Sequence, residues 1–335
     1  MHEDAAEDKK TKILCVGMAC VDFINVVKEF PKEDSDQRIL NYYWQRGGNA
    51  SNNCTVLSLL SVPCEFMGVL GTQGAEAEWI KSDFQDLRID ISHCEVKDVH
   101  CPVATVILNQ ASGTRTILFY PRDRPELSHE NFQRSFCSDF SPYFWIHFGI
   151  CSNVSDISSM IDDIIQYKSD KKHRRALNEL KSEPIVSVEV EKPELTDAEI
   201  VMKKADIVFI SKDYASSKGY FDPIRAVKEL YQTCRHNAVL VCPWGEKGAA
   251  AYLNHSIVTS PALSDITVID SLGAGDTFVA GFMARLWKNN FTIASQDSKN
   301  DSETLGVIKD ALDFSCALAG QKCSMFGYTG LKSYK

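Results

Sequence analysis

The chain has 335 residues, 45 of them Asp or Glu against 36 Lys or Arg, which gives a net charge of −9, and 44% are hydrophobic. That acidic balance argues against a nucleic-acid partner, which needs a basic face. No apolar run approaches the ~18–20 residues of a membrane helix, so no membrane partner is expected either. The length suits one large α/β domain with room for a small appendage.

The first ten residues, MHEDAAEDKK, are polar and acidic and read as a disordered tail. They resemble neither a signal peptide nor a transit peptide, so a cytoplasmic protein is expected. The twelve cysteines are scattered, with no C-x-x-C pair and no zinc-ligand spacing. Most lie in apolar runs and read as small buried side chains in a reducing compartment.

From residue 11 onward, short apolar runs alternate with helical patterns. Residues 13–16 read as a buried strand, and 20–27 with 37–44 as paired extended segments across a polar turn. Val56, Leu57, Leu59 and Leu60 mark a helix over 51–60, while GVLGTQG at 68–74 reads as a loose loop. Residues 102–108 and 114–120, joined by NQASG, form a hairpin pattern. A strand follows at 144–148. A helix over 157–167 carries Ile157, Met160, Ile161, Ile164 and Ile165 at three-and-four spacing. The charge-dense stretch 168–181, with KKHRR at 171–175, reads as a solvated helix end and loop. Strands at 185–190, 207–210 and 238–242, helices over 223–234 and 277–287, an extended segment at 266–269 and a polar loop over 289–303 complete the pattern. Strands alternating with helices predict an α/β fold with a mostly parallel sheet covered on both faces. The four segments that break the rhythm predict a small separate sheet.

Two motifs carry chemistry. DSLGAGDTFVAG at 270–281 opens a helix with a glycine turn. Such a turn leaves backbone N–H groups unpaired and unobstructed, at the positive end of the helix, where a phosphate or developing oxyanion is stabilised. A lone Asp at that position is commonly an N-cap. Beside an anion cradle, Asp276 is also placed to act as general base toward an attacking alcohol. In QRGGNASN at 45–52, two glycines permit close backbone approach, and Asn49 and Asn52 offer both donors and acceptors, as sugars require. An ordinary glycine turn with Asn capping would read the same way. Asp22, on the first of the irregular strands, is a carboxylate able to grip sugar hydroxyls. There is no GxxxxGK[ST] and no GxGxxG after the first strand, so neither a P-loop nor a dinucleotide site is supported.

With these motifs in place, the chain resembles the phosphofructokinase-B, or ribokinase-like, family of sugar kinases. Residues 270–281 resemble the family's C-terminal signature, and Gly47, Gly48 and Asn49 its N-terminal one. LCVG at 14–17, PKEDS at 31–35, WQRGGNASN at 44–52, VSVEVEKP at 186–193 and VFISKD at 208–213 are most similar to the ketohexokinase branch, so the resemblance spans roughly residues 11–330. It implies a three-layer sandwich, with a kinase core over 11–19, 46–99 and 122–335 and a four-stranded β-sheet lid over 20–45 and 100–121. It implies transfer of phosphate from ATP to the carbon-1 hydroxyl of fructose. Asp276 would be the base, and Gly273, Ala274 and Gly275 the anion hole. Asp22, Gly48, Asn49 and Asn52 would hold the sugar, Arg115 would face the substrate or phosphates, and Asp34 would reach the partner's sugar site in a homodimer clasped through the lids. Lys212, Trp244, Glu246, Gly248, Gly273, Gly275 and Cys323 would line the nucleotide site. Mg2+ would ride on the ATP phosphates, and potassium would bind at Asp270. The run after His147, Phe148 to Ser152, lacks the acidic residue and Arg of ketohexokinases. That leaves open a kinase for another sugar or a nucleoside, or a silent sensor on the same fold.

Overall fold

The computed structural model describes residues 11–150, 152–170, 183–292 and 301–334. The expected tail at 1–10, the basic run at 171–175 and most of the 289–303 loop lie outside them. In chain order the elements are β1 (Lys12–Val16), β2 (Cys20–Val27), β3 (Asn41–Gly47), α1 (Asn49–Leu59), β4 (Cys64–Met67), β5 (Val69–Gln73), α2 (Ala75–Asp86), β6 (Glu95–His100), β7 (Val103–Asn109), β8 (Thr114–Tyr120), α3 (His129–Phe136), β9 (Tyr143–Gly149), α4 (Val154–Ser169), β10 (Ile185–Val190), α5 (Ala198–Met202), β11 (Ile207–Ile210), α6 (Lys212–Ser217), α7 (Pro223–Leu230), β12 (Val239–Pro243), β13 (Ala249–Leu253), β14 (Ser256–Ser260), α8 (Ala274–Lys288) and α9 (Asp301–Cys323).

Strand alternation splits the apolar side chains between two cores. Ile13, Cys15, Phe209 and Val241 pack with α1, α8 and α9 on one face. Leu14, Val16, Ile210 and Leu240 pack with α3, α4, α5 and α7 on the other. A sheet buried on both faces has no use for polar alternation, hence the continuous apolar runs. Each fully buried Leu, Ile or Phe contributes roughly 1.5–3 kcal/mol, and these two layers hold the sandwich together. The main sheet runs β14-β13-β12-β11-β10-β9-β1-β4. It is parallel from β4 to β12 and closes on an antiparallel edge, β12 to β14.

A second sheet, β3-β2-β7-β8, stands apart. Its inner face is a small core of Ile24, Val26, Ala104, Val106 and Leu108, which closes on Leu272 just before α8. This is the separate sheet expected from the irregular segments, except that β3 begins at Asn41 rather than residue 37.

Other expectations are corrected. Residues 68–74 are not a loose loop: Val69–Gln73 pairs in parallel with β6. Residues 266–269 join no sheet; the Ile269 N–H donates instead to the Cys323 carbonyl at 2.7 Å. The helix begun at Pro223 ends at Leu230, where one 3-10 turn follows. Strands β4, β6, β13 and β14 had no expectation. Cys64–Met67 carries Glu65, whose buried carboxylate is met by Lys12 at 2.5 Å, by His93 Nδ1 at 2.5 Å and by the Tyr143 hydroxyl, which donates to it at 2.9 Å. Ala249–Leu253 is alanine-rich and has weak strand propensity, but it is held between two antiparallel neighbours.

Candidate active site

The site forms where chain order reverses across the sheet, at the C-terminal ends of β1 and β9, which is where open α/β sheets bind ligands. An ideal Cβ on Gly17 would stand 2.9 Å from the Ala50 Cβ and 3.2 Å from the Gly149 carbonyl, so the start of α1 sits directly on these strand ends. Gly48 enters α1 at φ +94, and any Cβ there would overlap the Met18 carbonyl. Gly47 is equally obligatory, because a Cβ would overlap the Asp22 carboxylate. Arg46 fixes this turn. Its buried guanidinium donates to Asp83 at 2.6 Å, the Ser51 hydroxyl at 2.7 Å and Thr55 Oγ1 at 2.8 Å, and lies 3.8 Å above the Phe84 ring.

From the other side comes α8. Gly273 precedes it at φ +73 with no side-chain cap, so the N–H groups of Gly275 and Asp276 in the first turn have no partner within the helix. A Cβ on Gly275 would meet nothing within 4 Å, so this turn faces open space. Asn52 Nδ2 donates to Asp276 Oδ2 at 2.6 Å, and Asn53 Nδ2 donates to the Asp276 carbonyl at 3.0 Å. Asp276 is half-buried rather than sealed, and Asn52 engages only its Oδ2. It is not the N-cap of α8; that position is Gly273.

Four carboxylates share this cleft. Burial pushes the Asp276 carboxyl well above its usual range; Glu189, Glu191 and Asp22 add to the rise, and the Asn52 hydrogen bond opposes it. Burial raises Asp22 to about 6, softened by the Cys20 thiol, which donates to it at 3.4 Å. Burial and the charge of Glu191 raise Glu189 to about 8. Asn49 Nδ2 donates to Glu191 Oε2 at 3.0 Å, so Asn49 bridges the α1 start to the end of β10. His147, opposite Ser187 in the β9–β10 register, is held neutral by burial, down to about 3, and bonds the Ser187 hydroxyl through Nδ1 at 2.7 Å. Its Nε2 and the Glu189 Oε2 are 3.7 Å apart, and among the described residues neither has a hydrogen-bond partner.

Asp22 lies directly across from Gln45 in the β2–β3 register, so both present the same face of the small sheet. Among the described residues Gln45 Nε2, Asn52 Oδ1 and the Tyr328 hydroxyl are buried without partners. Orphaned donors and acceptors beside carboxylates suit a ligand dense in hydroxyls. Arg115, on β8, donates to Ser271 Oγ at 3.3 Å and ties the small sheet to the turn before α8.

Asp270 is not free to bind potassium. Its Oδ2 accepts the buried Lys322 ammonium at 2.6 Å and the Gly327 N–H at 3.2 Å, its Oδ1 accepts the Leu272 N–H at 2.8 Å, and Lys322 also reaches its carbonyl at 3.0 Å. An internal cation already fills the position, so these residues do not fit a potassium ion. Trp244 is 2% exposed in the core and unavailable to a nucleotide ring. Gly248, at φ +78, turns the chain where a Cβ would overlap the Ser260 carbonyl, and Lys212 pairs with Glu246 at 3.2 Å across the mouth of that turn. Cys323 contributes its carbonyl, which receives the N–H groups of Ile269 and Asp270. Asp34 lies in the exposed β2–β3 loop and takes no part in this chain's own cleft.

Sequence reasoning missed Glu189, Glu191, His147, Lys322 and Tyr328 as site residues. The signal for Glu189 was present: an acid at an inward position of a strand whose every residue is buried. The charges absent after β9 also have a spatial counterpart. Arg124 and Glu126, from the loop after β8, border a small cavity with Gly17, Gly149 and Asn153.

Comparison with known proteins places the chain in a family. Residues 10–329 match the pfkB family carbohydrate kinase model. The chain is 35% identical to ketohexokinase of Mus musculus over 96% of its length and 99% of that protein's. It is 25% identical to a fructokinase of Rhizobium leguminosarum bv. trifolii, covering 88% and 85% of the two chains. Among solved structures, ribokinase from Giardia lamblia superimposes with a TM-score of 0.79 at 16% identity, over 96% and 95% of the two chains. A Vibrio cholerae fructokinase double mutant in fructose-, ADP- and potassium-bound form gives 0.67 at 19%, over 96% and 95%.

Proposed function

Since the chain belongs to the pfkB family of carbohydrate kinases and is an ATP-dependent sugar kinase, we propose that it phosphorylates fructose at the carbon-1 hydroxyl, with Asp276 as general base. The observation that carries this is the half-buried Asp276 carboxylate, anchored through one oxygen by Asn52, at the uncapped N-terminus of α8. Asp276 takes the proton of the sugar hydroxyl as that oxygen forms a bond to the terminal phosphorus of ATP. The bond to the bridging oxygen breaks, and its electron pair leaves with ADP. Charge on the transferred group is met by the first-turn N–H groups at Gly275 and Asp276 and by the helix end. Asp22, Asn49, Asn52 and the Gly47–Gly48 backbone hold the sugar. Gly248, Glu246 and Lys212 border the nucleotide.

Mg2+ would arrive on the nucleotide's phosphates and neutralise charge there. Among the described residues no group of three or more His, Cys, Asp or Glu is arranged to hold a metal ion by itself, so the ion would be held through the phosphates. No part of the reaction is assigned to potassium. Cys15, Cys54, Cys64 and Cys242 are buried free thiols, which fits a reducing, cytoplasmic setting, and no described helix is long and apolar enough to cross a membrane.

A homodimer through the small sheet is part of the proposal. Every residue of β8 is exposed, including Ile117, Leu118, Phe119 and Tyr120, and Leu40 and Tyr42 are exposed on the β3 side. Apolar side chains exposed along both edge strands of the small sheet call for a partner, and the clasp would carry Asp34 to the partner's sugar.

The test is Asp276→Asn, assayed for ADP release with fructose, tagatose, xylulose, ribose and adenosine. A loss of ~10²–10⁴-fold in kcat is expected from removal of a general base. Turnover near the wild-type rate refutes Asp276 as base; preference for ribose or adenosine refutes fructose.

A further inference from the structure

Tyr328 lies on the segment that follows α9, and its position is tightly set. The Gly327 N–H donates to the Asp270 carboxylate at 3.2 Å, the Tyr328 carbonyl accepts the Leu331 N–H at 2.9 Å, and the Lys322 ammonium stands 5.6 Å from the ring centroid. The ring packs into the core on the α8 side and the residue is 6% exposed. Its hydroxyl abuts Gly273, the residue that opens α8, so closely that an ideal Cβ there would overlap it. This explains why position 273 must be glycine beyond the demand of its positive φ. Among the described residues the hydroxyl has no hydrogen-bond partner. An unpaired buried hydroxyl is destabilising, so one retained in a folded core calls for an explanation, and a ligand is one that its position can be tested against.

We propose that the Tyr328 hydroxyl is a further donor of the anion hole, hydrogen-bonding the phosphoryl group during transfer from ATP to the sugar. Its location decides the ligand. It stands beside the turn whose first N–H groups converge on incoming negative charge, where a donor gains most as charge develops. Burial and the nearby charges of Asp276, Asp22 and Asp270 hold the phenol in its protonated, donating form. The ring is packed and the segment clamped, so the donor is oriented before the substrate arrives.

This assignment deepens the kinase reading, and the test separates the two. Tyr328→Phe removes one oxygen and keeps the ring. Steady-state kinetics with fructose and ATP should show kcat reduced about 10- to 100-fold, the order expected for one anion-hole donor, with both KM values within about twofold. The thermal midpoint should be unchanged or higher, because the lost atom had no partner. Calorimetry with fructose, ADP and aluminium fluoride should show the variant binding the ternary mimic at least tenfold more weakly, with fructose alone and ADP alone unaffected. A kcat within twofold of wild type overturns the assignment, as does a fall in kcat accompanied by a matching fall in thermal midpoint. A raised KM for fructose at full kcat overturns it in favour of a sugar contact. If wild-type protein turns over no sugar and binds no ADP, the kinase site itself fails, and this role fails with it.

Discussion

Replacing Glu189 by Gln removes a buried ionisable carboxyl while keeping the side chain's shape. Burial and Glu191 carry the wild-type carboxyl from its ordinary 4.5 to about 8, so the native state holds a proton that the unfolded chain has released. Where the native state binds more protons, stability falls as pH rises. The contribution is therefore fully present below pH 4.5 and is lost as pH climbs through about 8. At roughly 1.4 kcal/mol per pH unit, the whole interval corresponds to about 4–5 kcal/mol. Part of that strain is shared with Asp276 and Glu191, so Glu189→Gln should recover roughly 2 kcal/mol or more at pH 9 and nothing at pH 4.5. Urea midpoints of wild type and variant across pH 4.5–9 measure this directly. The same change should move the acid limb of the kcat profile downward, because Glu189 is the foremost neighbouring charge opposing ionisation of Asp276. A wild-type–variant stability difference that stays flat across pH would refute the carboxylate cluster as a coupled, strained unit.

Three further outcomes follow from the geometry. Lys322→Met leaves the Asp270 carboxylate buried with only main-chain donors and should cost about 3–5 kcal/mol in denaturant unfolding. Adding Asp270→Asn should restore most of it, and a loss under 1 kcal/mol for the single variant would show that the pair does not organise the turn before α8. Exchange of potassium for choline at constant ionic strength should leave wild-type rates unchanged, since the ammonium already holds the cation's place; a fivefold fall would contradict that. Leu118→Lys should convert a dimer to monomer in light-scattering chromatography, and a wild-type protein already monomeric at micromolar concentration would remove the proposed clasp.

The legible part of the molecule was the part governed by local rules. Apolar runs such as 13–16 and 207–210 could only be strands buried on both faces, because each residue type in them favours that environment whichever face it takes. The glycine turn at 273–275 was legible for a related reason: positive φ and uncapped N–H groups are properties of a short sequence. Gly47 and Gly48 were visible as glycines, but their obligation comes from Asp22 and Met18, residues some 25–30 positions away in sequence.

What could not be read depends on long-range closure. Lys322 lies one and a half turns after Cys316 on a helix of mixed pattern, and nothing local distinguishes it from a solvated lysine. Only the return of the chain beside Asp270, 52 residues earlier, turns it into a buried counter-ion. Trp244 shows the reverse error: a large aromatic beside a glycine turn suggests a ring for stacking, yet the apolar layer of the second core claims it. Tyr328 combines both lessons. Its ring is satisfied by packing, so the residue looks structural, while its hydroxyl is satisfied by nothing described. A side chain whose apolar part is explained and whose polar part is not is where a folded core is most informative about chemistry. The carbon framework fixes where the oxygen stands, and the missing partner defines what must come to meet it.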